Sequence, residues 1–336
     1  MNVSFRGGLT LSGQSITLVF DAAARSVDER AIRLVSHAHA DHAPSRYSEK
    51  TIMTPETQRI ASSLRQRLGQ LLLKRLGENI KPDDSVEVRL LNAGHVLGSS
   101  QFYVETPSCS LLYTGDLNTY ETLITKPADE VEADTLVIES TYGEPSYVFP
   151  AREVVYSNIV RWVSSCIREG SIPAFKTYSV GKSQEILALI NRYTHLPVVV
   201  GEYVEAVSRA YGESGVRLEF VPASSGEGRE IMRGGEYVYV DSVRRGSMSF
   251  GRRVRWAVAT GWAVRYRYRS YDAAFPLSGH ADYRGLVEFV QRVSPKKTYV
   301  MHGFTNTLSS ALRRIGYDAT PLESLAINGM RQLVFE

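Results

Sequence analysis

Side chains of the kind that bind metal ions are concentrated in one short stretch of the chain. Residues 36–42 read S-H-A-H-A-D-H, directly after the apolar run 31–35, and offer four candidate ligands: His37, His39, Asp41 and His42. Polar side chains at the end of a buried strand need pairing or coordination to compensate for lost water. Because side chains alternate along an extended chain, the first three ligands point to one side and His42 points away. The pattern predicts a metal-binding loop, with a histidine-rich surface loop as the alternative.

Further candidate ligands follow apolar segments that are distant in sequence: His95 in G-H-V-L-G-S, Asp116 in T-G-D and His302 in M-H-G. We expect one divalent ion to be held by three histidines, which are His37, His39 and His95. A second ion would be held by Asp41, His42 and His302, and Asp116 would bridge the two ions. Six of the seven histidines lie in loops that follow predicted strands, and one of these, His280, is discussed below. The seventh, His195, does not follow this pattern and is assigned no role.

The ligand types indicate the metal and its chemistry. Histidine and carboxylate without thiolate favour zinc, with manganese or iron as alternatives. Two divalent ions a few Å apart can bind a hydroxide between them and clamp a phosphodiester during in-line attack. The predicted chemistry is therefore metal-dependent hydrolysis.

The elements that position these ligands are short apolar strands, each followed by a loop that contains glycine. We expect two strands within residues 1–21 and a helical pattern from Pro55 to about Ile80. Further strands are predicted at 31–35, 86–91, 111–113, 135–138, 273–277 and 298–301. Between them, helices at 151–169, 182–193 and 203–212 and strands at 172–175 and 197–200 indicate a second α/β unit. This order predicts a parent domain over 1–143 and 258–336, interrupted by an inserted domain over 144–257.

Composition excludes several classes of protein. The 336 residues carry a formal net charge of only +3, and the two cysteines do not suggest a disulfide framework. The N-terminus lacks a basic start followed by an apolar block, so it does not resemble a signal peptide. No apolar run approaches the roughly 18 residues of a membrane span. We expect a cytoplasmic protein with no membrane contact.

The clearest local charge asymmetry lies between residues 241 and 271. It contains eight arginines, which are Arg244, Arg245, Arg252, Arg253, Arg255, Arg265, Arg267 and Arg269. The last three alternate with tyrosines, so an extended chain would place arginine on one face and tyrosine on the other. Such a surface suits a nucleic-acid backbone. The alternative is a solvated edge strand with protective charges.

Together these motifs resemble a known family. H-A-H-A-D-H, G-H-V-L-G-S, T-G-D and M-H-G are similar to the ordered metal-binding motifs of the metallo-β-lactamase fold. E-S-T-Y-G at 139–143, the insertion and S-G-H-A-D-Y at 278–283 resemble the β-CASP branch, whose members cut nucleic acids. A-T-G-W-A at 259–263 and F-P-L-S-G-H-A-D-Y at 275–283 are most similar to the DNA-ligase-associated exonucleases and to related mRNA 3′-end processing factors. The resemblance implies an αββα metallo-β-lactamase sandwich with an inserted β-CASP α/β domain.

The resemblance also implies roles for particular residues. His280 would act near the leaving oxygen as proton donor, with Glu139 bonded to it, and Asp21 would orient a metal-binding histidine. V-G-K-S-Q-E at 180–185 is similar to a helix start in the insertion, where Lys182 and Ser183 would meet substrate phosphate. A nucleotide-binding P-loop is excluded, because position 176 is lysine where that motif requires glycine.

Several functions are compatible with these features. A DNA end-processing exonuclease is favoured, with a DNA ligase or helicase pathway as the implied setting. An RNA-processing endo- or exoribonuclease is the alternative, because RNA-acting members of the family commonly have a histidine at the position of His302. Phe304, however, stands where those members have glutamate. A hydrolase of small esters and a non-catalytic nucleic-acid-binding subunit are the remaining alternatives.

Overall fold

The computed structural model of the chain describes residues 2–5, 8–13, 15–21, 31–43, 50–66, 70–243 and 251–324. The chain divides into two compact units. The first comprises Met1–Glu121, Lys126–Ser146 and His280–Glu336. The second comprises Thr122–Thr125 and Tyr147–Gly279.

The first unit contains two sheets. The strands of the first sheet are β1 (Asn2–Phe5), β2 (Leu9–Ser12), β3 (Thr17–Phe20), β4 (Ala31–Leu34), β5 (Lys50–Met53) and β6 (Leu71–Leu73), with helix α1 (Pro55–Ser63) after β5. They pair in chain order, antiparallel from β1 to β3 and parallel from β3 to β6. Thr54 caps α1 by accepting a hydrogen bond from the Thr57 N–H, and Pro55 suits the first helical turn.

The second sheet of this unit has seven strands. They are β7 (Asn79–Asp83), β8 (Val86–Asn92), β9 (Ser100–Glu105), β10 (Ser110–Tyr113), β11 (Thr135–Ser140) and, after the second unit, β18 (Lys297–Gly303) and β19 (Ala319–Pro321). Helices α6 (Tyr283–Val293) and α7 (Thr305–Arg314) accompany β18 and β19. The strand order is β19-β18-β11-β10-β9-β8-β7, so β11 lies between β10 and β18.

Alternation along the strands separates the two faces of the second sheet. Val137 on β11 packs in one buried cluster with Phe20 and Leu34 of the first sheet. Its neighbours Leu136 and Ile138 pack in another cluster with Phe289 of α6 and with Leu308 and Leu312 of α7. A strand that buries successive side chains on opposite faces must be covered on both sides. The unit is thus a sheet-on-sheet sandwich with helices outside, as the resemblance implied.

The second unit is built around a separate parallel sheet. Its elements are α2 (Arg152–Arg168), β12 (Ile172–Lys176), α3 (Lys182–Tyr193), β13 (Val198–Val200), α4 (Glu202–Glu213), β14 (Val221–Pro222), α5 (Gly226–Gly234), β15 (Val238–Asp241), β16 (Val254–Ala259) and β17 (Ala273–Phe275). The strand order is β14-β13-β15-β12-β16-β17, and every pair is parallel. Strands alternating with helices confirm the inserted α/β domain.

The end of the insertion differs from the expected position. The predicted return to the parent domain is at residue 258, but β16 and β17 pair with β12 in the sheet of the second unit. The first unit resumes only at His280. Apolar strands at this point fit either sheet, so composition alone did not mark the boundary.

Two other predictions about local structure were wrong. The helical pattern from Pro55 to Ile80 ends at Ser63, and residues 71–73 form β6, in which Leu71 pairs with Thr51. Arg65, two residues after the helix, has a φ of 59°, a left-handed conformation that does not continue a right-handed helix. The N-terminal 21 residues contain three strands rather than two. Closely spaced leucines fit both helix and strand periods, and pairing with β5 decides between them.

Candidate metal centre

The histidine loop begins where β4 ends and is fixed by buried contacts. Ser36 and His37 are fully buried, and the Ser100 N–H donates to the Ser36 carbonyl at 2.8 Å. The T-G-D loop packs against the same serine. A Cβ added at Gly115, whose φ is 55°, would lie 2.6 Å from the Ser36 Cβ. Glycine is therefore required for the loop that presents Asp116 to approach the histidine loop.

Three histidines and Asp116 converge at this point. The Nε2 of His37 lies 2.9 Å from the Nδ1 of His39, which lies 3.2 Å from the Nε2 of His95. Oδ2 of Asp116 lies 3.4 Å from the His37 Nε2 and 3.6 Å from the His95 Nε2. These four residues offer donor atoms that all lie within 4.8 Å of one another.

The donor set fits a divalent metal ion. Ligands about 2.1 Å from one tetrahedral zinc ion lie roughly 3.4 Å from one another, which the distances between 2.9 and 3.6 Å bracket. Imidazole nitrogen and carboxylate oxygen are also the ligands that such ions take in proteins. The cluster is thus arranged to bind a divalent metal, with His37, His39, His95 and Asp116 as its ligands in our prediction.

The residues of the predicted second ligand set lie near the other oxygen of Asp116. The His42 Nε2 is 3.4 Å from Oδ1 of Asp116 and 3.7 Å from Oδ2 of Asp41. His302 lies on β18 at a φ of 55°, where the pairing with β11 shifts register. Its ring is centred 5.8 Å from that of His42. Their role as ligands of a second ion stays a prediction.

Asp21 forms a buried hub behind the histidine loop. Its carboxylate accepts hydrogen bonds from the Ser36 N–H at 2.8 Å and from the Ser36 hydroxyl at 2.7 Å. The Nδ1 of His42 lies 2.9 Å away, and the Tyr113 hydroxyl donates to the same carboxylate at 3.0 Å. Because Nδ1 of His42 is engaged by Asp21, its Nε2 is left to face Asp116. The contact supports an orienting role for Asp21 towards a metal-binding histidine, which stays a prediction.

His280 and Glu139 are paired as the resemblance implied. The Nδ1 of His280 lies 2.9 Å from Oε1 of Glu139, which is fully buried at the end of β11. The same carboxylate accepts hydrogen bonds from the N–H groups of Leu117 at 2.7 Å and Thr141 at 3.2 Å. The Nε2 of His280 is then directed towards Asp116, at 4.0 Å from Oδ2. These partners fix both the tautomer and the orientation of the imidazole.

The protonation states of the residues in the cluster are set by burial and by the charges of their neighbours. Burial alone would raise the pKa of Asp116, but the imidazoles of His42, His280 and His37 hold that pKa well below its usual range. Burial, reinforced by the charge of His280, lowers the pKa of His95 well below its usual value. Burial opposes protonation of His42, yet Asp116 and Asp21 raise its pKa to about 10. An ionised Asp116 and a neutral His95 are in the protonation states that metal ligands need.

Sequence reasoning missed two residues of this centre. Ser36 bonds both Asp21 and the Nδ1 of His37, and Tyr113 is the fourth donor to Asp21. Ser36 begins the histidine motif and Tyr113 directly precedes T-G-D, so their positions beside known motifs were the available signal.

The residues predicted to contact nucleic acid lie in the second unit. Arg265, Arg267 and Arg269 are exposed, but they do not lie on a strand. Residues Gly261–Val264 form a 3₁₀ turn, and the Tyr266 N–H donates to the Trp262 carbonyl at 2.9 Å. Because this backbone turns, the expected alternation of arginine and tyrosine faces is wrong. Arg244 and Arg245 lie outside the described residues.

Both predicted contact residues at the start of α3 are buried. Ser183 is fully buried, and its hydroxyl bonds the Tyr178 carbonyl at 2.7 Å and the Thr177 hydroxyl. It therefore has no hydroxyl to offer to a phosphate, contrary to our expectation. Lys182 is buried as well, at 8% exposed, and its Nζ lies 4.6 Å from the centre of the Tyr178 ring. Among the described residues, no helix is both long and apolar enough to span a membrane.

Known proteins share these features. Residues 273–318, which include His280 and His302, match the family model described as the Zn-dependent metallo-hydrolase RNA specificity domain. A crystal structure of a protein of unknown function from Enterococcus faecalis V583 has a TM-score of 0.66 at 14% identity, covering 95% of this chain and 97% of that chain. The latter similarity shows the fold alone.

Several curated proteins are similar in sequence. A protein of Opitutus terrae named probable DNA ligase is 33% identical over 300 residues, covering 85% of this chain and 28% of that protein. An RNase J-like protein of Methanocaldococcus jannaschii is 33% identical over 190 residues, covering 50% and 45%. Cleavage and polyadenylation specificity factor subunit 3 of Dictyostelium discoideum is 24% identical over 380 residues, covering 86% and 48%. The chain thus spans less than half the length of each of these relatives.

A sheet-on-sheet sandwich with a cluster of histidines and aspartate at its strand ends defines a metallo-hydrolase. The RNA specificity match, the inserted α/β domain and the relatives narrow this class further. The chain belongs to the metallo-β-lactamase/β-CASP nuclease family.

Proposed function

We propose that this protein is a nuclease that hydrolyses phosphodiester bonds with two divalent metal ions, zinc in the first place and manganese as the alternative. The observation that carries the proposal is the convergence of the His280–Glu139 pair on the same carboxylate, Asp116, that faces three histidines. A metal cluster alone would serve ester hydrolysis equally well. A positioned imidazole beside it adds the proton donor that an alkoxide leaving group needs.

Each residue has a defined part in this chemistry. His37, His39, His95 and Asp116 would hold one ion, and Asp41, His42 and His302 the second together with Asp116. Bound divalent ions supply Lewis acidity and a nucleophile at neutral pH.

His280 would donate a proton to the leaving oxygen from Nε2, because its Nδ1 is engaged by Glu139. Glu139 holds the ring in place and stabilises the protonated imidazole. Asp21 keeps His42 turned towards Asp116.

We favour DNA ends as the substrate. The relative named probable DNA ligase is similar to this chain over 85% of the chain, and the matching segment occupies 28% of that larger protein. A nuclease joined to a ligase suits the trimming of DNA ends before sealing. A DNA ligase is accordingly the partner pathway that we propose.

RNA processing is the second candidate, and specific observations favour it. Residues 273–318 match the RNA specificity domain, and the relatives include an RNase J-like protein and a cleavage and polyadenylation factor subunit. Both candidates use the same centre, so the metal site does not distinguish them.

One assay tests the function and separates the candidates. The protein loaded with zinc or manganese is incubated with end-labelled single- and double-stranded DNA and RNA of one sequence. We expect nucleotides to be released stepwise from DNA ends. Asp116→Asn should lose this activity, whereas Asp84→Asn, a change at an exposed aspartate of the same unit, should keep it. Internal cleavage of RNA with intact DNA would establish the RNA candidate, and intact strands throughout would overturn the nuclease proposal.

A further inference from the structure

Tyrosines of the second unit form an exposed group beside basic side chains. Tyr266 is 58% exposed and Tyr178 is 56% exposed, the largest values for large hydrophobic side chains among the described residues. A single exposed ring is ordinary, but exposed apolar side chains that lie together mark surfaces that bind a ligand. The two residues are far apart in sequence, so their grouping is a product of the fold.

Tyr266 rests on a buried aromatic base. Its ring is centred 6.3 Å from that of Trp262, and the Trp262 ring is 5.2 Å from that of the fully buried Tyr147. The hydrogen bond from the Tyr266 N–H to the Trp262 carbonyl fixes the backbone of this turn. The exposed ring is thereby held by its neighbours, which lowers the entropy lost when a ligand stacks on it.

Tyr178 follows β12 and the turn that carries Tyr266 follows β16, and these two strands pair in parallel with Lys176 beside Val258. The two segments therefore leave the sheet side by side, and the second of them contains Tyr268. Its ring lies 6.2 Å from that of Tyr271, and the Tyr271 N–H donates to the Tyr268 carbonyl at 3.0 Å. Burial is the largest cause that raises the pKa of the Tyr268 hydroxyl, and the charges of Tyr178, Tyr266 and Tyr271 raise it further. These charges act between segments that the pairing of β12 with β16 already places side by side.

Cations lie within the same group. The Lys182 Nζ is 4.6 Å from the centre of the Tyr178 ring, the Arg265 guanidinium is 5.6 Å from the centre of the Tyr147 ring, and Arg267 and Arg269 are exposed. Other arginines of this basic segment are engaged elsewhere. Arg255 pairs with Glu169 at 2.9 Å, for example.

We propose that Tyr178 and Tyr266 form a platform on which unpaired nucleobases stack, with Arg267 and Arg269 at the adjacent phosphates. This inference rests on the proposed nuclease function and specifies its substrate as a strand with unpaired bases. Aromatic rings with neighbouring cations bind single strands independently of sequence, since every base offers a π-face and every nucleotide a charge. A duplex keeps its base faces stacked and is bound only through its phosphates.

The test is a binding measurement that does not require turnover. Fluorescence anisotropy with a chelator present follows the intact chain binding three labelled probes: an unstructured single strand, an abasic sugar-phosphate strand of the same length, and a duplex. The single strand is used as DNA and as RNA. We expect the double variant Tyr178→Ala/Tyr266→Ala to bind base-containing strands at least about tenfold more weakly. Its affinity for the abasic strand and the duplex should change less than about twofold.

Two control variants make the result specific. Tyr203→Ala removes an equally exposed tyrosine on α4, 52% exposed, and should bind like the wild type. Tyr178→Phe/Tyr266→Phe keeps both rings and should retain most of the affinity, because stacking does not need the hydroxyl groups.

The outcomes separate this inference from the proposed function. Equal loss of affinity for abasic and base-containing strands would show that the tyrosines merely maintain the surface, and would overturn the platform. Wild-type affinity in the double alanine variant would overturn it too, even if the enzyme cleaves nucleic acid. Failure of the wild type to bind any single strand would likewise overturn it and would indicate a protein partner for this face. Intact stacking without any metal-dependent cleavage would instead overturn the nuclease proposal alone.

Discussion

His37 in the metal centre is fully buried, and both of its ring nitrogens have partners within 3.4 Å. Tyr266 in the second unit is 58% exposed and leaves most of its ring to solvent. The first kind of residue depends on several neighbours at once, and its replacement leaves buried polar groups unsatisfied. The second kind depends on few neighbours and acts by what it offers to a ligand. The comparison predicts large, coupled effects of substitution in the first unit and small, independent ones in the second.

Replacing Asp116 should have the largest effect. Asp116→Ala removes the carboxylate that faces both predicted ligand sets, so we expect cleavage to fall by at least about 10³-fold through the loss of several kcal/mol of charge stabilisation. Metal content measured by atomic absorption should fall as well. Unchanged turnover in this variant would refute a mechanism that depends on two ions.

His280→Gln should reduce cleavage by about 10²- to 10⁴-fold, the usual contribution of a positioned acid. Because His280 is not a predicted ligand, metal content should stay at the wild-type level. His195→Gln alters an exposed histidine of the second unit and serves as the matched control. Loss of metal from the His280 variant would contradict its assignment as proton donor.

Asp21→Asn should act through orientation. The amide cannot accept all the hydrogen bonds that Ser36, His42 and Tyr113 direct at the carboxylate. We expect metal affinity to fall by about 10- to 100-fold, as for other groups that orient ligands. Competition with a fluorescent chelator measures this directly, and an affinity equal to that of the wild type would show that His42 needs no support.

The stability of protein stripped of metal should depend on His42. Burial opposes its protonation, but Asp116 and Asp21 raise its pKa to about 10 from the usual value of 6.5. A pKa that is higher in the folded state means that the stabilisation is complete below pH 6.5 and is lost as the pH rises through about 10. Urea unfolding should show a decline on the order of 1 kcal/mol per pH unit within that window. In His42→Gln this decline should be absent, and its persistence there would assign it to another group.

The smallest effects should come from the basic face of the second unit. Arg267→Gln and Arg269→Gln each remove an exposed charge without disturbing a buried contact. We expect binding of single strands to weaken only a few-fold at moderate salt. The slope of log K against log salt should fall by about 0.7 for each phosphate that is no longer neutralised. An unchanged slope would exclude these arginines from the phosphate path.

The sequence predicted the metal centre better than the elements that carry it. The four candidate ligands of residues 36–42 are local, so their spacing alone indicated a shared site, and His95, Asp116 and His280 follow strands that end beside it. The structure of residues 71–73 depended instead on pairing with β5, a contact that local spacing does not encode. The same holds for Ser183. Its hydroxyl is buried against the Tyr178 carbonyl, a contact that the sequence motif does not encode.

The unit that holds the metal centre is assembled from chain segments that are separated by residues Tyr147–Gly279 of the second unit. Ser146 ends one segment and His280 begins the next, and β18 with His302 lies between β11 and β19 in the sheet. During synthesis, the early ligands emerge long before β18 can pair with β11. Since chains begin to fold as they leave the ribosome, the insertion has time to form before the centre is closed. A growing chain therefore holds every residue of the predicted ligand sets only after residue 302 has been made.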